Sequence, residues 1–244
     1  MTNLESSAPS PTEIVNCLKQ EMKLREVCRR IWCKKIVAHA AQGKSLTVTS
    51  EEIQQETENQ RRAQRLEKAS DTLAWLEEHM ITEDDWEAGI YDYLLAKKLA
   101  KALFEKDVEK YFAENKLNYE QFRLYQIVVT DEKMAQELFY QIEEEEISFY
   151  EAAHRYDIDT KRKYRCGFEG KLYRWSLKPD ISAIVFGASP GEVIGPLKTE
   201  QGYHLFIIEE FIPAQLTPER RQEIINKMFE EWLSSELGYM FHNQ

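Results

Sequence analysis

Several chemistries are excluded by what this chain of 244 residues lacks. Cysteine is scarce: Cys17, Cys28 and Cys33 fall in one helical stretch and Cys166 stands far away. None forms a C-x-x-C pair, and no Cys/His spacing suits zinc, so reduced and mostly buried thiols are expected. Positive charge is in deficit. The net charge is −11, and none of the segments 1–122, 123–212 and 213–244 is net basic. Nucleic acid and anionic membrane surfaces are therefore not expected as partners. No run approaches the ~20 apolar residues of a membrane span. The polar start MTNLESSAPSP carries no signal-like apolar stretch, so a cytoplasmic location is expected, or a periplasmic one if the N-terminus is processed or exported otherwise. No internal repeat is visible. The acidic run Glu143 to Glu146 lies on successive helix positions that do not converge on one point. It reads as a solvated helix end, and no metal or other cofactor is expected.

What is present points to packed cores. The chain is 43% hydrophobic with five Trp, twelve Tyr and eleven Phe, too aromatic for bulk disorder and long enough for one large or two modest domains. Ser10-Pro11-Thr12-Glu13 is a helix start with its capping box, predicting one long helix to about Ala41 with an apolar stripe of Ile14, Leu18, Met22, Val27, Ile31 and Ile36. Thr49 to Glu52 opens a very polar helix, Ser70 or Asp71 a short one, and Thr82 to Asp85 another that carries Ile90, Leu94, Leu95, Leu99, Leu103 and Phe104. A short helix is expected near Val108 to Glu114. Past Pro213, Thr217-Pro218 restarts a helix whose residues Ile224, Ile225, Met228, Phe229, Trp232, Leu233 and Leu237 form a wide apolar face. Such a face needs a partner.

Between these helical regions the rhythm changes. Leu124 to Val129 is a β-rich run, Thr130 caps a helix, and Ser148 opens a shorter helix through Tyr156. A basic loop, TKRKYR, follows. A short strand is expected at Tyr173 to Leu177, then a helix from Pro179 to Phe186. Val193 to Lys198 and Tyr203 to Ile208 form a hairpin around Thr199-Glu200-Gln201-Gly202, with His204 on the second strand. The order is β-α-α-β-α-β-β.

The hairpin GEVIGPLKTEQGYH, with the pattern G-E-x-x-G-P-x-x-T-x-x-G-Y-H, resembles the last hairpin of parvulins, the small peptidyl-prolyl cis-trans isomerases. LYQIVV, SFYEAAHRYDID and PDISAIVFGASPGEVIGPLKT agree with further landmarks of that family over residues 123–212. The resemblance implies an α+β protein with a four-stranded antiparallel sheet flanked by helices. Residue by residue, it implies that Asp159 stands at the family's catalytic Asp/Cys position and His204 at its second histidine. Gln126 stands where the first-strand histidine is usual. Leu177 and Ile181 stand at the proline-pocket positions, Leu172 where an aromatic lining residue is usual, and Phe186 is a further apolar contact. Asp159, His204 and Gln126 would form a polar network under the apolar cup. Gln126 and Leu172 depart from the pattern and soften the pocket. Cys166 falls beyond the family's cysteine position and reads as structural. Thr130-Asp131-Glu132 would repel a phosphorylated target, whereas the loop with Lys161, Arg162, Lys163 and Arg165 could attract acidic peptide segments.

The helices on either side are similar in layout to SurA- and PrsA-type chaperones, and to cytosolic homologues of cyanobacteria. That layout implies an all-helical peptide-binding domain over residues 10–122, a parvulin-like domain over 123–212, and a C-terminal helix over 214–244 that packs on the first domain. The implied function is a foldase that isomerises X–Pro bonds of unfolded or extended proline-containing polypeptides. The alternative is a non-catalytic chaperone or adaptor that only binds peptide. A homo-oligomer is compatible with either.

Overall fold

The computed structural model describes residues 9–242. They form two compact units, one made of residues up to 108 together with those from 221 onward, the other of residues 109–220.

The first unit is helical. It contains α1 (Pro11–Gln20), α2 (Leu24–Gly43), α3 (Ser50–Ala63), α4 (Ala69–Glu78), α5 (Glu83–Phe104) and α11 (Pro218–His242). The helix starts follow local chemistry. Ser10, Thr49 and Thr82 each accept a hydrogen bond from the backbone N–H three residues on, and Glu13, Glu52 and Asp85 return the bond to complete capping boxes. The single helix expected from residue 10 to 41 is instead two. It breaks over Glu21 to Lys23, where Met22 has φ 58°. The break resets the helical phase, so Ile14 and Ile31 of the expected stripe are exposed while Val37 and Ala41 are buried. Those two residues form a core with Leu95 and Leu99 of α5, and Phe229, Trp232 and Leu233 of α11 pack against it. The apolar face of the last helix is thus covered by the N-terminal helices, as its sequence requires. α4 starts earlier than either expected cap, at Ala69.

The second unit is built on an antiparallel sheet of β1 (Gln121–Val129), β2 (Phe168–Tyr173), β3 (Val193–Thr199) and β4 (Gly202–Ile212), in the order β2-β1-β4-β3. Its helices are α7 (Glu132–Glu143), α8 (Phe149–Tyr156), α9 (Thr160–Tyr164) and α10 (Pro179–Val185), preceded by α6 (Val108–Glu114) at the boundary of the two units. Strand alternation gives the sheet two faces. Ile127, Val129, Leu205 and Ile207 pack on Ala135, Leu138, Phe149 and Ala153 of α7 and α8. On the opposite face Phe122, Leu124, Phe206 and Ile208 pack on Val185 of α10.

Three local expectations are corrected. The second strand lies at Phe168–Tyr173 rather than 173–177, and a short 3-10 helix, Arg174–Ser176, follows it. Part of the basic stretch is not loop but α9, started by the Asp159 side chain accepting from the Arg162 N–H. The cap of α7 is Asp131, not Thr130.

Candidate active site

The site lies on the α10 face of the sheet, at the end where β1 and β4 approach the hairpin turn. Val128 pairs with His204 across β1 and β4, and Gln126 pairs with Phe206. Gln126 and His204 are therefore diagonal neighbours on one face, within side-chain reach. Their side chains meet: Gln126 Nε2 lies 3.1 Å from His204 Nδ1. On the far side of the ring, His204 Nε2 lies 2.6 Å from Thr199 Oγ1. The Thr199 hydroxyl also accepts from the Gln201 N–H at 3.1 Å and donates to the Gly202 carbonyl at 3.5 Å. One arrangement satisfies every member: the Gln126 amide donates to Nδ1, Nε2–H donates to Thr199, and Thr199 donates to Gly202. The turn that brings Thr199 here depends on Gly202. It sits at φ 134°, and a Cβ on it would lie 2.4 Å from the Val129 carbonyl oxygen.

This chain of hydrogen bonds floors a cavity of about 240 Å³. Leu177, Ile181 and Phe206 are its apolar wall; Gln126, Ser176, Lys178, Thr199, Glu200, Gln201 and His204 supply the polar lining. His204 is only 5% exposed. Burial holds its pKa below the ordinary 6.5, the Arg162 charge presses the same way, and Asp157 opposes them. The ring is thus held neutral, the form the hydrogen-bond chain requires.

The Arg162 charge belongs to a cluster beside the site. Asp157 is fully buried. Its carboxylate accepts from the Val128 N–H at 3.2 Å, from the Asp159 N–H at 2.7 Å, and from Arg162 Nε and Nη2 at 2.6 and 2.9 Å. Arg162 Nη1 also donates to Glu169 at 2.8 Å. Burial disfavours the guanidinium charge, but the bonds to Asp157 and Glu169 outweigh it and raise the Arg162 pKa. Because the Ile158 N–H bonds to the Val128 carbonyl, the segment after α8 extends the edge of β1 where β2 has ended. Gly167 makes room for that ending. At φ 88°, a Cβ on it would lie 2.9 Å from the Gln126 carbonyl oxygen.

The residues singled out from the sequence are distributed as follows. Gln126, His204, Leu177 and Ile181 come together at the cavity. Leu172 and Phe186 pack on the neighbouring core, where Phe186 meets Phe122 edge-on at 5.0 Å and lies under the Arg174 guanidinium. Asp159 does not join the polar network expected of it. It is exposed, and its carboxylate caps α9 through the Arg162 N–H, which holds its pKa below the usual carboxylate range. The aspartate tied to the strand beside His204 is Asp157, two residues earlier. Sequence reasoning passed over Asp157 and Thr199, and it read Arg162 as a cation of the basic loop, whereas the guanidinium is largely buried on Asp157 and Glu169. Thr199 had a signal, since it opens the hairpin turn three residues before Gly202. The Asp157–Arg162–Glu169 cluster had none, because spacings of five and seven residues match no regular helix or strand neighbour.

Residues 103–220 match the PPIC-type PPIASE domain family. The foldase protein PrsA of Caldanaerobacter subterraneus is 26% identical over 216 residues, covering 81% of this chain and 64% of that protein. PrsA of Halalkalibacterium halodurans is 26% identical over 212 residues, covering 82% of this chain and 62% of its own length. The chain thus spans slightly under two thirds of these curated relatives. A crystal structure of the peptidylprolyl isomerase PrsA from Bacillus cereus superposes with a TM-score of 0.49 at 17% identity, over 98% of this chain and 87% of that one. The strands of the second unit, the cavity and His204 all lie within the residues that match the PPIC-type PPIASE domain family.

Proposed function

We propose that the protein is a foldase that catalyses cis-trans isomerisation of X–Pro bonds in extended polypeptides, with its helical unit as a second polypeptide-binding surface. The cavity floored by Gln126, His204 and Thr199 carries this reading. Rotation about an amide meets a barrier of roughly 18–20 kcal/mol because resonance is lost at the twist, and no nucleophile is needed to lower it. An apolar pocket that excludes water and holds the proline ring favours the twisted form. Fixed hydrogen-bond groups that match that form better than the planar one do the same. Leu177, Ile181 and Phe206 supply the first element. Gln126, locked on His204, supplies the second: its amide carries two N–H donors, of which the bond to Nδ1 uses one. In this reading Asp159 acts through α9 and Arg162 as a positioning residue, and Leu172 and Phe186 shape the pocket from behind. The cyanobacterial affiliation rests on the likeness of layout alone.

One observation favours a second reading, in which the domain binds peptide without turnover. Gln126 cannot change its charge, so the first-strand imidazole of the family pattern is absent from this network. Isomerisation of a short X–Pro peptide by the full chain decides between the two. Turnover above background is expected, with His204→Ala lowering kcat/KM at least ~10-fold, about 1.4 kcal/mol. Gln126→His keeps measurable turnover, since the imidazole enters the same network. Background rates in both the unmodified protein and Gln126→His, with peptide affinity retained, would establish the binding-only reading.

A further inference from the structure

A basic groove crosses the helical unit of this acidic protein. Its floor and walls come from α2 and α11. Met22, Arg25, Glu26, Arg29 and Trp32 face Leu237, Gly238 and Phe241 around a cavity of about 650 Å³. A second cavity of about 580 Å³ continues it past Arg30, Lys34 and Glu230 and shares Glu26, Arg29 and Ser234 with the first, so that four cations face two carboxylates along the groove. Arg25, Arg29 and Trp32 recur at helical spacing and lie on one face of α2. Trp32 packs edge-on against Phe241, with ring centroids 4.6 Å apart. Met22 is 88% exposed at the mouth.

The charges of the groove are unequally satisfied. Arg30 pairs with Glu26 and Lys34 with Asp92. Arg25 and Arg29 have no carboxylate partner among the described residues. In a chain of net charge −11, two unpaired guanidinium groups beside a Trp–Phe pair define a complementary ligand. That ligand carries carboxylates next to a large apolar side chain. From Leu24 to Lys34 the helix runs about 15 Å, which matches four or five residues of extended chain at ~3.3 Å each.

We propose that this groove binds an extended acidic peptide segment, with its carboxylates on Arg25 and Arg29 and an aromatic or aliphatic side chain against Trp32, Leu237 and Phe241. The proposal deepens the polypeptide-binding role given above to the helical unit and names its site and preference. It does not depend on isomerisation in the other unit. Gly238 gives the groove its depth: a Cβ placed on it meets nothing within 4 Å. A larger side chain there enters open space, and replacing a helical glycine does not weaken the helix.

The test uses the full chain and a fluorescein-labelled peptide of about six residues in which Phe and Leu are flanked by Glu. The unmodified protein is expected to bind it, more weakly as salt rises. It should bind the analogue with Lys in place of Glu at least ~10-fold more weakly, about 1.4 kcal/mol. R25E/R29E should lose at least as much, and Gly238→Leu should block binding while the thermal transition does not fall and the isomerisation rate of a short X–Pro peptide stays unchanged. Equal binding of the two peptides, or full binding by Gly238→Leu, overturns the proposal. So does a dimer that R25E/R29E dissociates while the peptide fails to bind, or attachment to anionic vesicles in place of the peptide. Failure of isomerisation with groove binding intact sinks the isomerase reading and leaves the groove standing; the reverse pattern sinks the groove alone.

Discussion

Asp157 and Asp159 are two residues apart and have opposite surroundings. The Asp157 carboxylate is fully buried and bonded to Arg162 and two backbone N–H groups, while that of Asp159 caps a five-residue helix in solvent. Replacing Asp157 by Asn removes the charge that balances a guanidinium only 14% exposed. Breaking a buried pair this way costs about 3–5 kcal/mol. Urea denaturation should therefore show a large loss for Asp157→Asn and a much smaller one for Asp159→Ala; equal losses would mean that the cluster does not hold the site. The family pattern directs attention to Asp159, and no sequence rule distinguishes the two, since burial there is set by how the segment after α8 docks on Val128. His204 and Gln126 were legible because strand alternation places them on one face. His204 also gives the protein a pH signature. Its pKa is lowered on folding, so the unfolded chain binds the proton first. Stability attributable to this residue is fully present above the unfolded value of about 6.5 and is lost as pH falls from there toward the lower folded pKa. The slope in that window should reach at most about 1.4 kcal/mol per pH unit. Denaturation curves from pH 7.5 to about 5 should be steeper for the unmodified protein than for His204→Gln. Parallel curves would show that His204 is not held neutral.

At the scale of elements, α11 is far in sequence from the helices it covers. Phe229, Trp232 and Leu233 are half-buried on the core of α2 and α5, Ile224, Ile225 and Leu237 of the same helix are buried, and each fully buried side chain of this size contributes about 1.5–3 kcal/mol. Together they rival the ~5–15 kcal/mol that holds a whole domain folded. A chain ending at residue 220 should therefore lose hydrogen-exchange protection in α2 and α5 and keep it in β1 and β4. Retained protection in α5 would show that the helical core closes without α11. The existence of this helix, its apolar face and its need for a partner were readable from the 3.6-residue period. Capping chemistry likewise located the starts of α1, α3, α5 and α8. The break between α1 and α2 was not readable, because Glu21, Met22 and Lys23 contain no glycine or proline, and a methionine at positive φ leaves no compositional trace. The second strand was misplaced for a related reason. Phe168 to Tyr173 contains a glycine and two charged residues, and only its pairing with Phe122 and Leu124 makes it a strand.

At the scale of the molecule, each unit owns a core. Val37, Ala41, Leu95 and Leu99 close one, and the two faces of the four-stranded sheet close the other. The cavity residues, the Asp157–Arg162–Glu169 cluster and the hairpin that carries Thr199 and His204 all lie within residues 109–220. Nothing in the hydrogen-bond chain from Gln126 to Gly202 leaves that unit. A domain with its own core and its own satisfied polar network can fold alone. The fragment 109–220 should therefore show a cooperative unfolding transition of its own and isomerise a short X–Pro peptide with kcat/KM within about threefold of the full chain, a difference under about 0.7 kcal/mol. A peptide too short to reach a second surface gains nothing from the helical unit, whereas a long unfolded polypeptide can engage both, and linked binding raises its effective concentration at the cavity. The full chain should thus outpace the fragment on an unfolded protein whose refolding is limited by proline isomerisation, by tenfold or more on the usual scale of linked sites. Equal rates on the unfolded protein would mean that the helical unit contributes no substrate binding. A fragment that folds but is inactive on the short peptide would mean that the catalytic assembly extends beyond residues 109–220.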